Sequence, residues 1–116
     1  MKLEGHQKRL SIFIGEYDRH GHTPLATEIV RRAHAAGLAG ASVFRGVEGY
    51  GASNHIHTTR ILSLSDDLPM AITIIDTAER INQFLAQLDE LISEGLVIVE
   101  DVEVVKYVGR PPADDR

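Results

Sequence analysis

A chain of 116 residues and 12.8 kDa has room for one domain with a real core. Its 43% hydrophobic and 25% charged residues exclude a disordered or collagen-like chain, and a net charge of −5 argues against a binder of nucleic-acid backbones, which needs a concentrated positive face. Without cysteine there is no disulfide, thiolate ligand or thiol nucleophile, and without an apolar leader or a membrane-length apolar run the expectation is a soluble cytoplasmic protein with no membrane insertion.

Residues 1–7 are polar and aperiodic and read as a flexible N-terminal arm. LSIFIGE follows as a strand, with Leu10, Ile12 and Ile14 on one face and Ser11 and Phe13 on the other. After the charged break EYDRHGH, Thr23-Pro24 opens a helix, Thr23 as the cap and Pro24 at the first helical position, where no N–H is needed. Leu25, Ile29, Ala33 and Ala36 share its apolar face, and Gly37 ends it. The next strand is ASVFRGVE. Beyond it, the connection from Val47 to Leu68 far exceeds the usual length of about 4–6 residues, which marks a functional loop. Whether RILSLSDD lengthens the flanking strands into a hairpin is left open by its pattern. MAITII reads as a buried strand, and Asp76-Thr77-Ala78-Glu79 as a capping box with Asp76 as the cap. Ile81, Phe84, Leu85, Leu88, Leu91 and Ile92 then form one continuous helical face closed by Gly95. LVIVEDVEVVKY is the last strand, and 109–116 a flexible polar tail.

The order β-α-β-β-α-β specifies an α+β, ferredoxin-like fold: a four-stranded antiparallel sheet with two helices on one face. Helices cover only one side of such a sheet. Val43, Val47, Val102, Val104, Val105 and Tyr107 cannot all face them, so the other face is partly apolar, and residues such as Val43 and Val105 are expected to be buried between subunits.

The segments LAGASVFRGVEGYGASNHIHTTR and LSDDLPMAITIIDTAERINQFLAQLDELISEGLVIVEDVEVVKY, with a long loop opening on Gly49-Tyr50-Gly51, resemble the nitrogen regulatory PII-like superfamily. The nearer resemblance is to its domain of unknown function 190 family, and it spans Leu10 to Tyr107, within a single PII-like domain at 8–108. It implies a homotrimer that binds an anionic ligand or nucleotide, an adenine nucleotide among the candidates, in the cleft between subunits. The long loop, 49–67, would contact a partner protein. Residue by residue, the resemblance assigns Gly49, Tyr50 and Gly51 to the loop base and Lys106 to a position where PII proteins carry an arginine. The chain departs from PII in three places: the turn after the second helix is cut to Ser93-Glu94-Gly95 without lysine, Val108 replaces a second late arginine, and 52–67 holds no tyrosine to modify.

Glycine backbone presents unshielded amides to an anion, so Gly49, Gly51 and the amides of Ala52 and Ser53 are candidate ligand contacts, flanked by Arg45 and Arg60. For this, Gly51 is expected in a backbone conformation that a β-carbon disfavours. Gly46, Gly49 and Gly51 read equally well as a bulge and a tight turn, and Arg45 as an ion-paired surface group, with Glu48 a candidate partner. His55 and His57, two apart, point the same way along an extended chain and make a divalent-metal site the alternative, in the manner of the cation tolerance proteins of the same fold. Asp18 or Asp66 could supply a carboxylate to such a site, and no metal is assigned on the histidine pair alone. No serine elbow, HExxH or phosphate-binding-loop motif is present, and no enzymatic reaction is expected.

Overall fold

In the computed structural model, which describes residues 3–51, 57, 58 and 67–109, the alternating run around Leu10, Ile12 and Ile14 becomes β1 (Gly5–Gly15). A short hairpin of β2 (Arg19–His20) and β3 (Thr23–Pro24) leads into α1 (Leu25–Ala35). β4 (Ser42–Arg45) follows, then β5 (Glu48–Gly49) paired with β6 (His57–Thr58). β7 (Pro69–Asp76), α2 (Ala78–Leu91) and β8 (Leu96–Val104) complete the order. The main sheet runs β4-β7-β1-β8, every pair antiparallel, so the α+β ferredoxin-like architecture is present.

Two periodicities build the core. Leu10, Ile12 and Ile14 of β1 and Ile72 and Ile74 of β7 alternate onto one sheet face. Leu25, Ile29 and Ala33 of α1 and Ile81, Phe84, Leu88 and Leu91 of α2 close over it as helical stripes. Gly37, with φ +77°, terminates α1: its amide bonds the His34 carbonyl, and the Leu38 amide returns to the Ala33 carbonyl while Leu38 packs on the core.

Where local patterns and structure differ, a distant partner decides. β1 begins at Gly5 rather than after the polar arm, because Gly5–Gln7 pair with Val102–Val104 of β8, and Leu3 ahead of them is only 2% exposed. Thr23 does not cap α1; it pairs with His20 in the hairpin, Pro24 takes the cap position without a side-chain bond, and the Leu25 amide is satisfied by the Asp18 carbonyl at 2.8 Å. Thr77, not Asp76, caps α2, its hydroxyl accepting from the Arg80 amide at 3.2 Å. Asp76 is instead wholly buried, one carboxylate oxygen accepting from the Ala39 amide at 2.8 Å and the other from the Thr77 amide at 2.7 Å. It thereby ties the loop after α1 to the start of α2, and Arg80 reinforces the tie by donating to the Gly37 carbonyl.

The helix-free face is apolar, but its membership differs from the expectation. Val43 stands opposite Ile72 and so belongs to the helix side, while Phe44, opposite Ala71, takes the open face and is 59% exposed. Phe13, Leu96 and Ile98 join Phe44 there. Val105 lies beyond the end of β8 and is exposed.

Candidate functional site

Strand β4 ends where Gly46 meets Pro69. The Gly46 amide donates to the Pro69 carbonyl at 2.7 Å, and a β-carbon on Gly46 would sit 2.6 Å from the proline ring. That close approach turns the chain out of the main sheet, and Glu48 and Gly49 pair instead with Thr58 and His57 in a separate two-stranded sheet. On the other side of β1, at the same end of the sheet, α2 stops at Leu91, and Ser93-Glu94-Gly95 feeds β8. Gly95 combines a backbone that other residues rarely adopt, at φ +151°, with a close approach: a β-carbon there would lie 2.7 Å from the Phe13 carbonyl.

These two turns face one another across the end of β1 and enclose a cavity of about 510 Å³. Gly49, Tyr50, Gly51 and Pro69 line one side; Glu94, Gly95 and Leu96 line another; Phe13, Ile14, Gly15, Asp18 and Asp67 complete it. Its volume falls in the range of small-molecule sites, about 300–1,000 Å³. Two carboxylates brace the β1–β2 turn beside it. Asp18 accepts from the Gly15 amide at 2.9 Å, and Asp67 from the Tyr17 amide at 2.7 Å, with its carboxylate packed against the bare Cα of Gly15. The Glu16 amide bonds the Leu68 carbonyl, fastening the same turn to the return of the long loop.

The structure thus gathers Gly49, Tyr50 and Gly51 with the turn after α2 around one cavity. It does not give Gly51 the expected role: its φ is not in the left-handed region and a β-carbon there meets nothing within 4 Å, the close approaches falling on Gly46 and Gly95 instead. Arg45 stands outside the cavity, its Nε 3.3 Å from a Glu16 carboxylate oxygen, so Glu16 rather than Glu48 is the ion-pair partner shown. Lys106 is exposed in the segment after β8, beside Tyr107, whose hydroxyl donates to the Ala39 carbonyl at 3.1 Å. Ala52, Ser53, His55 and Arg60 lie outside the described residues, and His57 contributes backbone pairing in β6. Among the described residues, no group of three or more His, Asp or Glu side chains gathers to hold a metal ion, and no helix is long and apolar enough to cross a membrane. Asp67 and Phe13 were not legible as site residues, and Asp18 was read only as a carboxylate for a metal, whereas it braces the turn beside the cavity. They come from separate segments, and only the glycine-bearing turns signalled the place.

Residues 7–104 match the model of the family DUF190, described as an uncharacterized ACR family. A UPF0166 protein of Aquifex aeolicus is 36% identical over 99 residues, covering 85% of this chain and 93% of its own length. Among solved structures, CPII, a nitrogen regulatory PII-like protein from Thiomonas intermedia K12 bound to ADP, AMP and bicarbonate, superposes with a TM-score of 0.63 at 21% identity over 87% of this chain and 90% of CPII. The divalent ion tolerance protein CutA1 from Ehrlichia chaffeensis shares the fold at a TM-score of 0.57 and 12% identity, covering 92% of this chain and 88% of its own.

Proposed function

The chain belongs to the DUF190 family of PII-like proteins, and on that footing we propose that it is a small-ligand-sensing regulatory protein that acts by binding rather than by turnover. It assembles as a homotrimer in the cytoplasm, holds an anionic ligand or nucleotide in the cleft between subunits, and meets a partner protein through the 49–67 loop. The observation that carries this reading is the convergence of the loop base Gly49–Gly51 and the turn Glu94-Gly95 on one cavity at the edge of an open apolar face. A ligand seated there touches both the root of the loop and the sheet face available to another subunit. Ligand occupancy then biases the loop between partner-competent and incompetent states, as far as its differential affinity for them allows. The CPII structure with ADP, AMP and bicarbonate supports an adenine nucleotide as the first candidate. Lys106, Arg45 and Arg60 are the cations available to its charge.

Calorimetry and thermal unfolding of the full chain with ADP, AMP and bicarbonate test the reading. A ligand at 100 times its dissociation constant stabilises by about 2.7 kcal/mol. Saturable heat and a rise in unfolding temperature with one of these ligands are expected. A flat response to all three, in protein shown by its spectrum to be folded, refutes the nucleotide-sensing reading.

A further inference from the structure

We propose that the β2–β3 hairpin and the outer side of α1 form a docking surface for an acidic stretch of a partner protein, held more tightly as acidification charges three histidines. This surface is separate from the cavity and from the 49–67 loop, so it stands whatever ligand the cavity takes.

The first ground is where the sequence concentrates positive charge. The chain as a whole is acidic, with 17 Asp and Glu against 12 Lys and Arg. Residues 19–35 invert that balance: Arg19, Arg31 and Arg32, with His20, His22 and His34, stand against Glu28. The fold gathers them. Gly21, at φ +62°, makes the tight turn that pairs Arg19 and His20 with Pro24 and Thr23, and the Asp18 carbonyl fastens the hairpin to α1 by accepting from the Leu25 amide. Arg31 and His34, three positions apart, are neighbours on the helix surface. Arg19, His20, His22, Arg31 and His34 are all exposed.

The second ground is the carboxylate built into this surface. Glu28 accepts from Arg32 Nε at 2.9 Å, one turn along α1. That hydrogen bond, and behind it the charges of Arg32, His20 and Arg31, hold the Glu28 carboxyl below its usual range. One carboxylate that feels a hairpin histidine and two helix arginines puts both elements in a single electrostatic neighbourhood. Glu28 stays ionised while imidazoles titrate, so the response to pH comes from the histidines, whose charge changes between about pH 5 and 8. The groups facing them are Asp18 and Arg19 beside the hairpin, Glu28, Arg31 and Arg32 on α1, and Arg80, which reaches from α2 to the Gly37 carbonyl just past α1. Asp18 and Glu28 are engaged by the Gly15 amide and by Arg32, so protonation of the histidines adds to a positive field.

The shape and chemistry of the surface favour a polypeptide. α1 has 11 residues and is about 16 Å long. A nucleic-acid strand or an anionic membrane extends past it and meets acidic groups such as Glu79, Asp89 and Glu90, exposed on the neighbouring α2. Residues 19–35 hold no aromatic side chain to stack on a base, and Leu25 and Ile29 are spent in the core rather than offered to a bilayer. The fixed cations of the segment are all arginine, whose guanidinium matches a carboxylate through two parallel hydrogen bonds. A short run of Asp and Glu places its charge on this surface and nowhere else.

Backbone amide spectra of the full chain, titrated with octaglutamate at low ionic strength, test the inference. Saturable shifts at Arg19–His22 and Arg31–Ala35 are expected, with affinity roughly fivefold tighter at about pH 6 than at about pH 8, the scale of a few exposed charge pairs. Arg31→Glu should weaken binding roughly tenfold. Replacing His20, His22 and His34 together by Gln should preserve binding at about pH 8 and remove its dependence on pH. The absence of saturable shifts, shifts centred on other residues, equal affinity at the two pH values, or full binding by Arg31→Glu would each overturn the inference. Tighter binding of an octathymidylate strand or of phosphatidylserine vesicles than of octaglutamate would overturn the choice of a protein segment. ADP calorimetry on the same samples reads the cavity separately, so the regulatory reading and this one fail independently.

Discussion

Replacing Asp76 with Asn keeps its shape and should nevertheless damage the fold almost as much as replacing it with Ala. The side chain is fully buried, and its two oxygens serve different donors: Ala39 N–H at 2.8 Å and Thr77 N–H at 2.7 Å. Asn has one carbonyl oxygen, so one donor is lost whichever way the amide turns, and its NH2 then confronts a backbone N–H. A buried donor left without its acceptor costs about 1–3 kcal/mol. Asp76→Asn should therefore lose about 2 kcal/mol, and Asp76→Ala, which abandons both donors, about 2–4 kcal/mol. For a domain of this size about 2 kcal/mol lowers the melting temperature by roughly 8 °C. Urea unfolding at equal chain concentration is the assay, because assembly would make apparent stability depend on concentration. Asp76→Asn within about 0.5 kcal/mol of wild type, the range of ordinary surface substitutions, would show that the two-oxygen bridge does not hold the α1–β4 loop to α2.

Gly95→Ala should destabilise by at least about 1–3 kcal/mol, the cost of the glycine-only backbone region, because its β-carbon would also lie 2.7 Å from the Phe13 carbonyl; Gly51→Ala, with open space around it, should unfold like wild type in the same urea series. The hydrogen bond from Lys8 holds the Asp101 carboxyl below its usual titration range. The pairing therefore acts at neutral pH and is lost as acidification passes through the lowered midpoint. Lys8→Met should bring the Asp101 midpoint back up in a carbon-detected NMR titration. Phe44→Glu, on the open face of β4, should reduce the mass seen by light scattering toward the 12.8 kDa of one chain; an unchanged assembly would place the subunit contact elsewhere.

The parts of this fold that local chemistry determines were legible residue by residue. Leu10, Ile12 and Ile14 alternate because a strand with one buried face requires it, and Ile81, Phe84, Leu88 and Leu91 recur at helical spacing for the same reason. The departures arise where a contact distant in the chain outranks a local preference. Asp76 has the chemistry of an N-cap and stands at the right place, yet Ala39, 37 positions away, captures one of its oxygens and the cap passes to Thr77. Val43 and Phe44 are both apolar, and nothing within β4 says which faces the helices. Pairing with Ile72 and Ala71 settles it, and a slip of one residue would exchange them. The cavity is the extreme case. Its glycines marked the right region, but its carboxylates come from the β1–β2 turn, the return of the long loop and the turn after α2, three segments that share no motif.

Phe13 and Leu96 connect the two surfaces on which the proposed function depends. They stand opposite each other across β1 and β8 on the open sheet face, and both also line the cavity. A second subunit covering that face must pack against side chains whose positions a cavity ligand also sets. Binding and assembly then share a free energy, and the sharing is reciprocal: a ligand that favours one arrangement of Phe13 and Leu96 favours the assembly that needs it, and assembly raises the affinity for that ligand by the same factor. Dilution followed by light scattering, with and without saturating ADP, measures the coupling directly. A dissociation midpoint displaced by the ligand is the expected result. Identical midpoints, with the cavity shown to be occupied, would mean that the two surfaces share residues without sharing energy.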